Sequence, residues 1–142
     1  MFRNSRIRQW AACLWAGSAY AVVVYLIGFA LGAVRVLVLV PRLGATVSVL
    51  LESPLILSAS WLICKATVKR FEVPEQIAAR VLMGAIALAV LMGWEFAVFV
   101  FVFAKSYSAF LPSLSTVPGA IGLAAQLAFA TFPALQARRS SH

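Results

Sequence analysis

Four long runs of apolar residues, separated by short polar stretches, dominate the sequence. They cover about residues 10–34, 45–64, 77–104 and 118–135, and the sequence leaves open whether the first run continues toward residue 40. Each run is close to the ~20 residues that a helix needs to cross ~30 Å of hydrocarbon. Because backbone polar groups must be paired inside a bilayer, the runs predict four transmembrane α-helices.

The third run contains the stretch WEFAVFVFVF, in which aromatic residues recur at alternate positions. Such alternation is typical of a strand in water, but in a run of this length it is better interpreted as a helix with aromatic rings spread around it. The predicted fold class is therefore all-α. We expect a four-transmembrane-helix bundle that forms a single membrane domain over residues 1–142.

Basic residues cluster at the ends of the apolar runs, with nine on one predicted side and three on the other. The larger group is Arg3, Arg6, Arg8, Lys65, Lys69, Arg70, Arg80, Arg138 and Arg139, and the smaller is Arg35, Arg42 and Lys105. The positive-inside rule then places both termini in the cytoplasm. The predicted location is the bacterial inner membrane, with the lipid bilayer as the surroundings of the chain.

The first run has an alternative interpretation as a cleaved signal peptide, because basic residues precede it. Its apolar stretch is longer than the about 7–15 residues usual for such a peptide, which favours a retained span.

Composition agrees with a membrane protein and excludes an ordinary soluble domain. The chain has 142 residues, of which 63% are hydrophobic and 11% charged. Its mean hydropathy is +0.98. The formal net charge of +8 does not indicate a nucleic-acid partner, because the basic residues flank the apolar runs and no soluble segment is long enough to form a binding face.

Polar residues inside three of the runs are predicted to lie at one depth. With a helical rise of about 1.5 Å per residue, Glu52, Glu95 and Gln126 each lie roughly 12 Å below the outer end of their span. A carboxylate at that depth needs a partner or a proton. We therefore predict an intramembrane polar cluster in the outer leaflet, centred on Glu52 and formed by Arg35, Arg42, Glu52, Glu95 and Gln126.

Pro54 lies two residues after Glu52. It cannot donate to the carbonyl of Leu50, so a helix kink is predicted beside the polar cluster. Kinked spans occur in transporter binding sites and also as plain packing features.

Small residues recur at a spacing of four on three of the runs. They are Gly28 and Gly32 on the first, Ala85, Ala89 and Gly93 on the third, and Ala120, Ala124 and Ala128 on the fourth. Such stripes let helices approach closely. Helix packing inside the chain is the first interpretation, and a seam between identical chains is the alternative.

The residues needed for most catalytic and metal sites are missing from the sequence. The only histidine is His142, there is no aspartate, and Cys13 and Cys64 fit no metal-binding spacing. A Ser-His-Asp triad, a zinc site and a haem site cannot be built from this set. We therefore predict no enzyme activity, no cofactor and no metal.

The stretches GAVRVLVLVPRLG and LLESPLIL carry a resemblance to a family. Their pattern Gly-x-x-Arg, Pro-Arg-x-Gly and Glu-x-Pro resembles an uncharacterised family of small four-span bacterial inner-membrane proteins. The matching residues are Gly32, Arg35, Pro41, Arg42, Gly44, Glu52 and Pro54, and the likeness extends over about residues 28–135. The resemblance implies the four-span fold and no particular activity.

Two functions from different classes remain open. The first is an accessory or scaffold component of a larger membrane assembly, whose polar layer specifies packing against another membrane protein. The second is a small oligomeric transporter or channel, with a homodimer as the expected form and with Glu52 or Glu95 as proton or ion sites. The lack of a continuous run of polar groups along any span favours the first.

Overall fold

Residues 2–140 are described by the computed structural model, with side chains for residues 3–139, so His142 lies outside the described part. This part of the chain is helical and contains no strand. Its α-helices are α1 (Phe2–Val34), α2 (Val40–Leu43), α3 (Ala45–Phe71), α4 (Ile77–Ala97), α5 (Phe110–Leu114) and α6 (Val117–Ser140).

Three short helical turns connect these elements. A π-helical turn, Arg35–Leu39, joins α1 to α2, and a second, Val98–Val102, extends α4. A 3₁₀ turn, Tyr107–Ala109, leads into α5. The first helix therefore continues through residues 35–40, a point that the sequence left open.

Two residues with a left-handed backbone help to set where helices begin and end. Gly44, with a φ of +84°, separates α2 from α3, and glycine takes that conformation without a steric penalty. Glu72, with a φ of 53°, ends α3, and its backbone N–H donates to the carbonyl of Val68. These two positions fix the lengths of α3 and of the continuous helix before it.

Four helical stretches of the described chain are long and apolar enough to cross a membrane. They are Arg3–Leu43, Ala45–Phe71, Ile77–Val102 and Val117–Arg139. The all-helical fold and the four candidate spans predicted from the sequence are thus confirmed. The first stretch has 41 residues, or about 60 Å of helix, and so extends well beyond the run predicted at residues 10–34.

The four long helices form a ring in the order α1, α3, α6, α4. Each packs against its two neighbours in this ring, so α3 and α4 lie opposite each other, as do α1 and α6. We call the end that holds residues 2, 72–76 and 140 the proximal half of the bundle. The end that holds Gly44 and residues 103–116 is the distal half.

The buried core lies mainly in the proximal half. It consists of Cys13, Ala16, Tyr20, Ala21, Val24, Cys64, Val73, Met83, Ala87, Leu91 and Phe129. Many large apolar side chains point outward instead; Trp15 is 65% exposed, Leu62 66% and Phe101 81%. An apolar exterior of this extent is typical of a surface covered by lipid or by other helices.

Candidate functional site: a cavity in the distal half

A cavity of about 660 Å³ occupies the distal half of the bundle. It is bounded by α1 and its π-helical turn, α3, α4 and its π-helical turn, α5 and α6. Most of its lining is apolar, and its polar side chains include Arg35, Glu52, Glu95 and Gln126. A largely apolar cavity with a few convergent polar groups is the usual form of a small-molecule site.

Arg35 and Glu52 form an ion pair at the cavity wall. Arg35 begins the π-helical turn after α1, and its Nη1 lies 3.1 Å from Glu52 Oε2 on α3. The side chains are 30% and 13% exposed. Oε2 nevertheless accepts no hydrogen bond of good geometry from the described residues, so the contact joins the charges without optimal alignment.

Glu95 and Gln126 form the second polar pair, between α4 and α6. Gln126 Nε2 donates to Glu95 Oε1 at 2.6 Å. Gln126 Oε1 is fully buried and has no hydrogen-bond partner among the described residues. A buried acceptor without a donor costs about 1–3 kcal/mol, so Gln126 Oε1 leaves this pair incompletely satisfied.

Four of the five residues of the predicted polar cluster line this one cavity. They do so as two pairs, Arg35 with Glu52 and Glu95 with Gln126, instead of one network centred on Glu52. Arg42 is exposed and is absent from the cavity wall. The helical rise explains the shared depth, but only the arrangement of α1, α3, α6 and α4 in a ring decides which residues become partners.

The floor of the cavity is closed by a contact across the ring. The rings of Tyr20 on α1 and Phe129 on α6 stack with their centroids 4.1 Å apart. The Tyr20 hydroxyl donates to the Phe129 carbonyl at 2.8 Å. That carbonyl has no helical donor, because Pro133 stands four residues later and lacks an N–H.

The distal side of the cavity is bounded by the segment between α4 and α6. Phe110, Ser113 and Leu114 of α5 line the cavity. Phe110 packs edge-on against Phe96 of α4 and Phe99 of the π-helical turn that extends it, with ring centroids 5.2 and 5.4 Å apart. The contribution of α5 to the cavity wall is new information from the fold.

Pro54 lies inside α3, which continues without interruption from Ala45 to Phe71. Its carbonyl accepts a hydrogen bond from the Ser58 hydroxyl at 2.7 Å, and the Ser53 hydroxyl donates to Val49 at the same distance. Serine hydroxyls thus supply local hydrogen bonds on both sides of the proline, and the kink itself stays a prediction.

The small-residue stripes differ in what they face. A Cβ added at Gly28 would lie 3.6 Å from Ile56 Cδ1 of α3, which is ordinary contact, while one at Gly32 would approach only Arg35. Ala85, Ala89 and Gly93 lie on the exposed side of α4. The first interpretation of this spacing was packing inside the chain. The exposed position of the second stripe shows that it does not pack against another helix of the described chain.

The closest glycine contacts between the four long helices are made by two other glycines. A Cβ added at Gly84 on α4 would collide with the backbone carbonyl of Ala130 on α6. One added at Gly17 on α1 would lie 2.8 Å from the carbonyl oxygen of Met83 on α4. Gly84 has no small residue four positions away, and the pair that Gly17 forms with Ala21 is not among the stripes named from the sequence.

The position of Arg80 also differs from the sequence prediction. The sequence groups it with the basic residues at the ends of the apolar runs, but it lies in α4 and is only 4% exposed. Its Nε donates to the Pro74 carbonyl at 2.9 Å and its Nη1 to the Pro133 carbonyl at 3.4 Å. Arg80 therefore ties α4 to α6 and to the preceding loop.

Among residues 2–140, no group of three or more histidine, cysteine, aspartate or glutamate side chains is placed to hold a metal ion. Cys13 and Cys64 are free and buried in the core. No protein-family model, curated protein or solved structure matches the chain.

Proposed function

We propose that the chain is a four-span protein of the bacterial inner membrane that binds a small amphipathic molecule in its distal cavity. Both termini lie in the cytoplasm, so the cavity opens in the outer half of the bilayer and serves uptake or export of its ligand. The observation that carries this proposal is the 660 Å³ cavity with two polar pairs in an otherwise apolar wall.

The distribution of basic residues and the family resemblance support this orientation and location. The proximal half carries the basic residues of both termini and of the end of α3, which the positive-inside rule assigns to the cytoplasm. The resemblance to small four-span bacterial proteins points to the same membrane.

The closed floor favours a binding or alternating-access protein over an open channel. Below the cavity, the Tyr20–Phe129 stack and the close contact of Gly84 with α6 fill the centre of the bundle. A conducting pore needs a continuous polar or wet path, which this packing interrupts. Passage of a ligand would then require the proximal half to open, as in alternating access.

The test uses the full chain in lipid nanodiscs and three probes that share one apolar body: phenylbutylamine, phenylbutanol and phenylbutyrate. Equilibrium dialysis measures binding in excess of empty nanodiscs of the same lipid. We expect at least one probe to bind in excess, and Gly122→Phe to abolish that binding. Gly122 lines the cavity, and a Cβ added there meets no atom within 4 Å, so a large side chain can fill the space.

Gly93→Phe is the matched control, since Gly93 is exposed on α4, outside the cavity wall, and also has open space around an added Cβ. This variant should bind as the parent does. If no probe binds in excess to the folded parent, the binding proposal fails.

The second candidate is the accessory component of a larger assembly, and the outward-facing row of Ala85, Ala89 and Gly93 favours it. Such a row on an exposed helix face permits close approach of a helix from another chain. Native mass spectrometry of the same nanodiscs, prepared from the native host, separates the candidates. A larger protein in fixed ratio, together with absent probe binding, would favour the accessory function.

A further inference from the structure

The acidic and basic side chains that line the cavity are unequal in number, with two carboxyl groups and one guanidinium group. Arg35, Glu52 and Glu95 are the only Lys, Arg, Asp or Glu residues in its wall, within the described chain. Arg35 is paired with Glu52, whereas Glu95 has no cation within ion-pair distance among residues 2–140. With all three groups ionised, the cavity carries one uncompensated negative charge at Glu95.

Hydrogen-bond acceptors are also in excess at this point. Glu95 Oε1 accepts from Gln126, but Glu95 Oε2 accepts no hydrogen bond from the described residues and is not fully buried. Gln126 Oε1 has no partner either. Two acceptors on adjacent side chains thus lack donors.

The serine hydroxyls of the cavity wall are already used. Ser53, Ser60 and Ser113 each donate to a backbone carbonyl of their own helical segment, at 2.7, 2.6 and 2.5 Å. Neither they nor the Tyr25 hydroxyl, which also lines the cavity, donates to the Glu95–Gln126 pair. A ligand with its own N–H or O–H groups would satisfy this pair.

The rest of the wall is suited to an apolar body. Tyr25, Phe99 and Phe129 contribute aromatic rings, and Val24, Ile56 and Leu57 contribute aliphatic surface. Aromatic faces also favour a neighbouring cation, whereas an anion in this wall would be repelled by Glu95.

We infer that the cavity is selective for lipophilic amines, with the ammonium group at Glu95 and Gln126 and the apolar body along the aromatic wall. This inference rests on the proposed binding function and names its ligand class. The ammonium group supplies both missing elements, a positive charge and several N–H donors. Glu95 then acts as the group that selects the head of the ligand, and the Arg35–Glu52 pair holds the opposite wall neutral.

The experiment compares the three phenylbutyl probes on the folded parent at neutral pH, where the amine is protonated and the carboxylate is ionised. We expect the amine to bind about tenfold to a hundredfold more tightly than the alcohol after subtraction of empty nanodiscs, and the carboxylate to bind least. Glu95→Gln, which keeps the size of the side chain, should remove the preference for the amine. Glu75→Gln, a neutralised carboxylate on the exposed proximal loop, should leave it unchanged.

The comparison on the parent requires no variant, so a folding defect in Glu95→Gln cannot hide the result. Equal or tighter binding of the alcohol or the carboxylate would overturn the amine inference while leaving the cavity as a binding site. An amine preference that survives in folded Glu95→Gln would overturn the role of Glu95. Absence of binding by all three probes would instead overturn the proposed function.

Discussion

The two halves of the bundle are built from the same four long helices but differ in how tightly those helices pack. In the proximal half, Gly17 and Gly84 allow backbones to meet, and the core is filled from Cys13 to Phe129. In the distal half, the same helices enclose a cavity. Tight packing stabilises the fold through many van der Waals contacts, and the residues that line an unfilled cavity lack some of these contacts. The proximal half is therefore suited to hold the fold, and the distal half to hold a ligand.

Polar groups differ between the halves in the same way. Proximal donors reach backbone carbonyls: Arg80 reaches those of Pro74 and Pro133, and Tyr20 reaches the carbonyl that Pro133 leaves free. In the distal half, the charged and amide side chains of the cavity instead pair with each other, and Glu52 Oε2 and Gln126 Oε1 remain without hydrogen bonds. Satisfied polar groups secure packing, whereas unsatisfied ones indicate a place for a further partner.

The largest expected effect concerns Gly84 in the proximal half. Gly84→Ala places a methyl group against the Ala130 carbonyl, which is backbone and cannot move aside without shifting α6. We expect a loss of about 3 kcal/mol in the free energy of unfolding, the upper part of the range for overpacked sites. Unfolding by SDS titration in mixed micelles, followed by circular dichroism, measures it.

Gly93→Ala is the matched control on the same helix, because a Cβ added at Gly93 meets no atom within 4 Å. It should be neutral or slightly stabilising, since alanine has the higher helix propensity. Equal stability of the two variants would contradict the close-packed character assigned to the proximal half.

A smaller effect is expected from the hydrogen bond at the boundary of the two halves. Tyr20→Phe leaves the buried Phe129 carbonyl without a donor, because Pro133 cannot supply one. We expect a loss of about 2 kcal/mol in the free energy of unfolding. The same SDS titration measures this change.

The test of its cause is a double-mutant cycle with Pro133→Ala. Alanine restores an N–H to α6 that can reach the Phe129 carbonyl, so Tyr20→Phe should cost less in that background. If the cost of Tyr20→Phe is the same with proline and with alanine at position 133, the carbonyl is not what Tyr20 stabilises.

Sequence reasoning predicted the helices well because each depends on a long local pattern. Spans, basic flanks and the depth of Glu52, Glu95 and Gln126 follow from counting residues along one helix. The order of helices around the ring does not follow from such counting. For that reason the sequence indicated a shared polar layer, while the pairing of Glu95 with Gln126 and the exclusion of Arg42 required the fold.

The proximal contacts were harder to predict for a related reason. Gly84 and Arg80 do not belong to any repeated pattern in the sequence. Their roles depend on the carbonyls of Ala130 and Pro133, which are more than forty residues away along the chain. One signal was available: Pro133 inside a helix frees the Phe129 carbonyl, and a mid-span tyrosine such as Tyr20 is a natural donor for it.

The smallest expected effect concerns the ion pair between Arg35 and Glu52 in the distal half. It tests whether this pair stabilises the fold or contributes to ligand binding. Glu52→Gln leaves Arg35 without its carboxylate, but the Arg35 side chain is 30% exposed, so water and lipid head groups compensate in part. We expect a loss of about 1 kcal/mol, between the values for surface and buried pairs, and a lower folded yield. Arg42→Gln, on an exposed arginine, should change stability by less than about 0.5 kcal/mol.

The double variant Arg35→Gln with Glu52→Gln separates the two roles of the pair. Removing both charges removes the stranded arginine, so stability should return toward that of the parent. Amine binding should persist in the double variant, because Glu95 remains as the uncompensated charge of the cavity. If Glu52→Gln is as stable as the parent, the pair does not support the fold. Loss of amine binding in the folded double variant would instead assign ligand selection to both polar pairs.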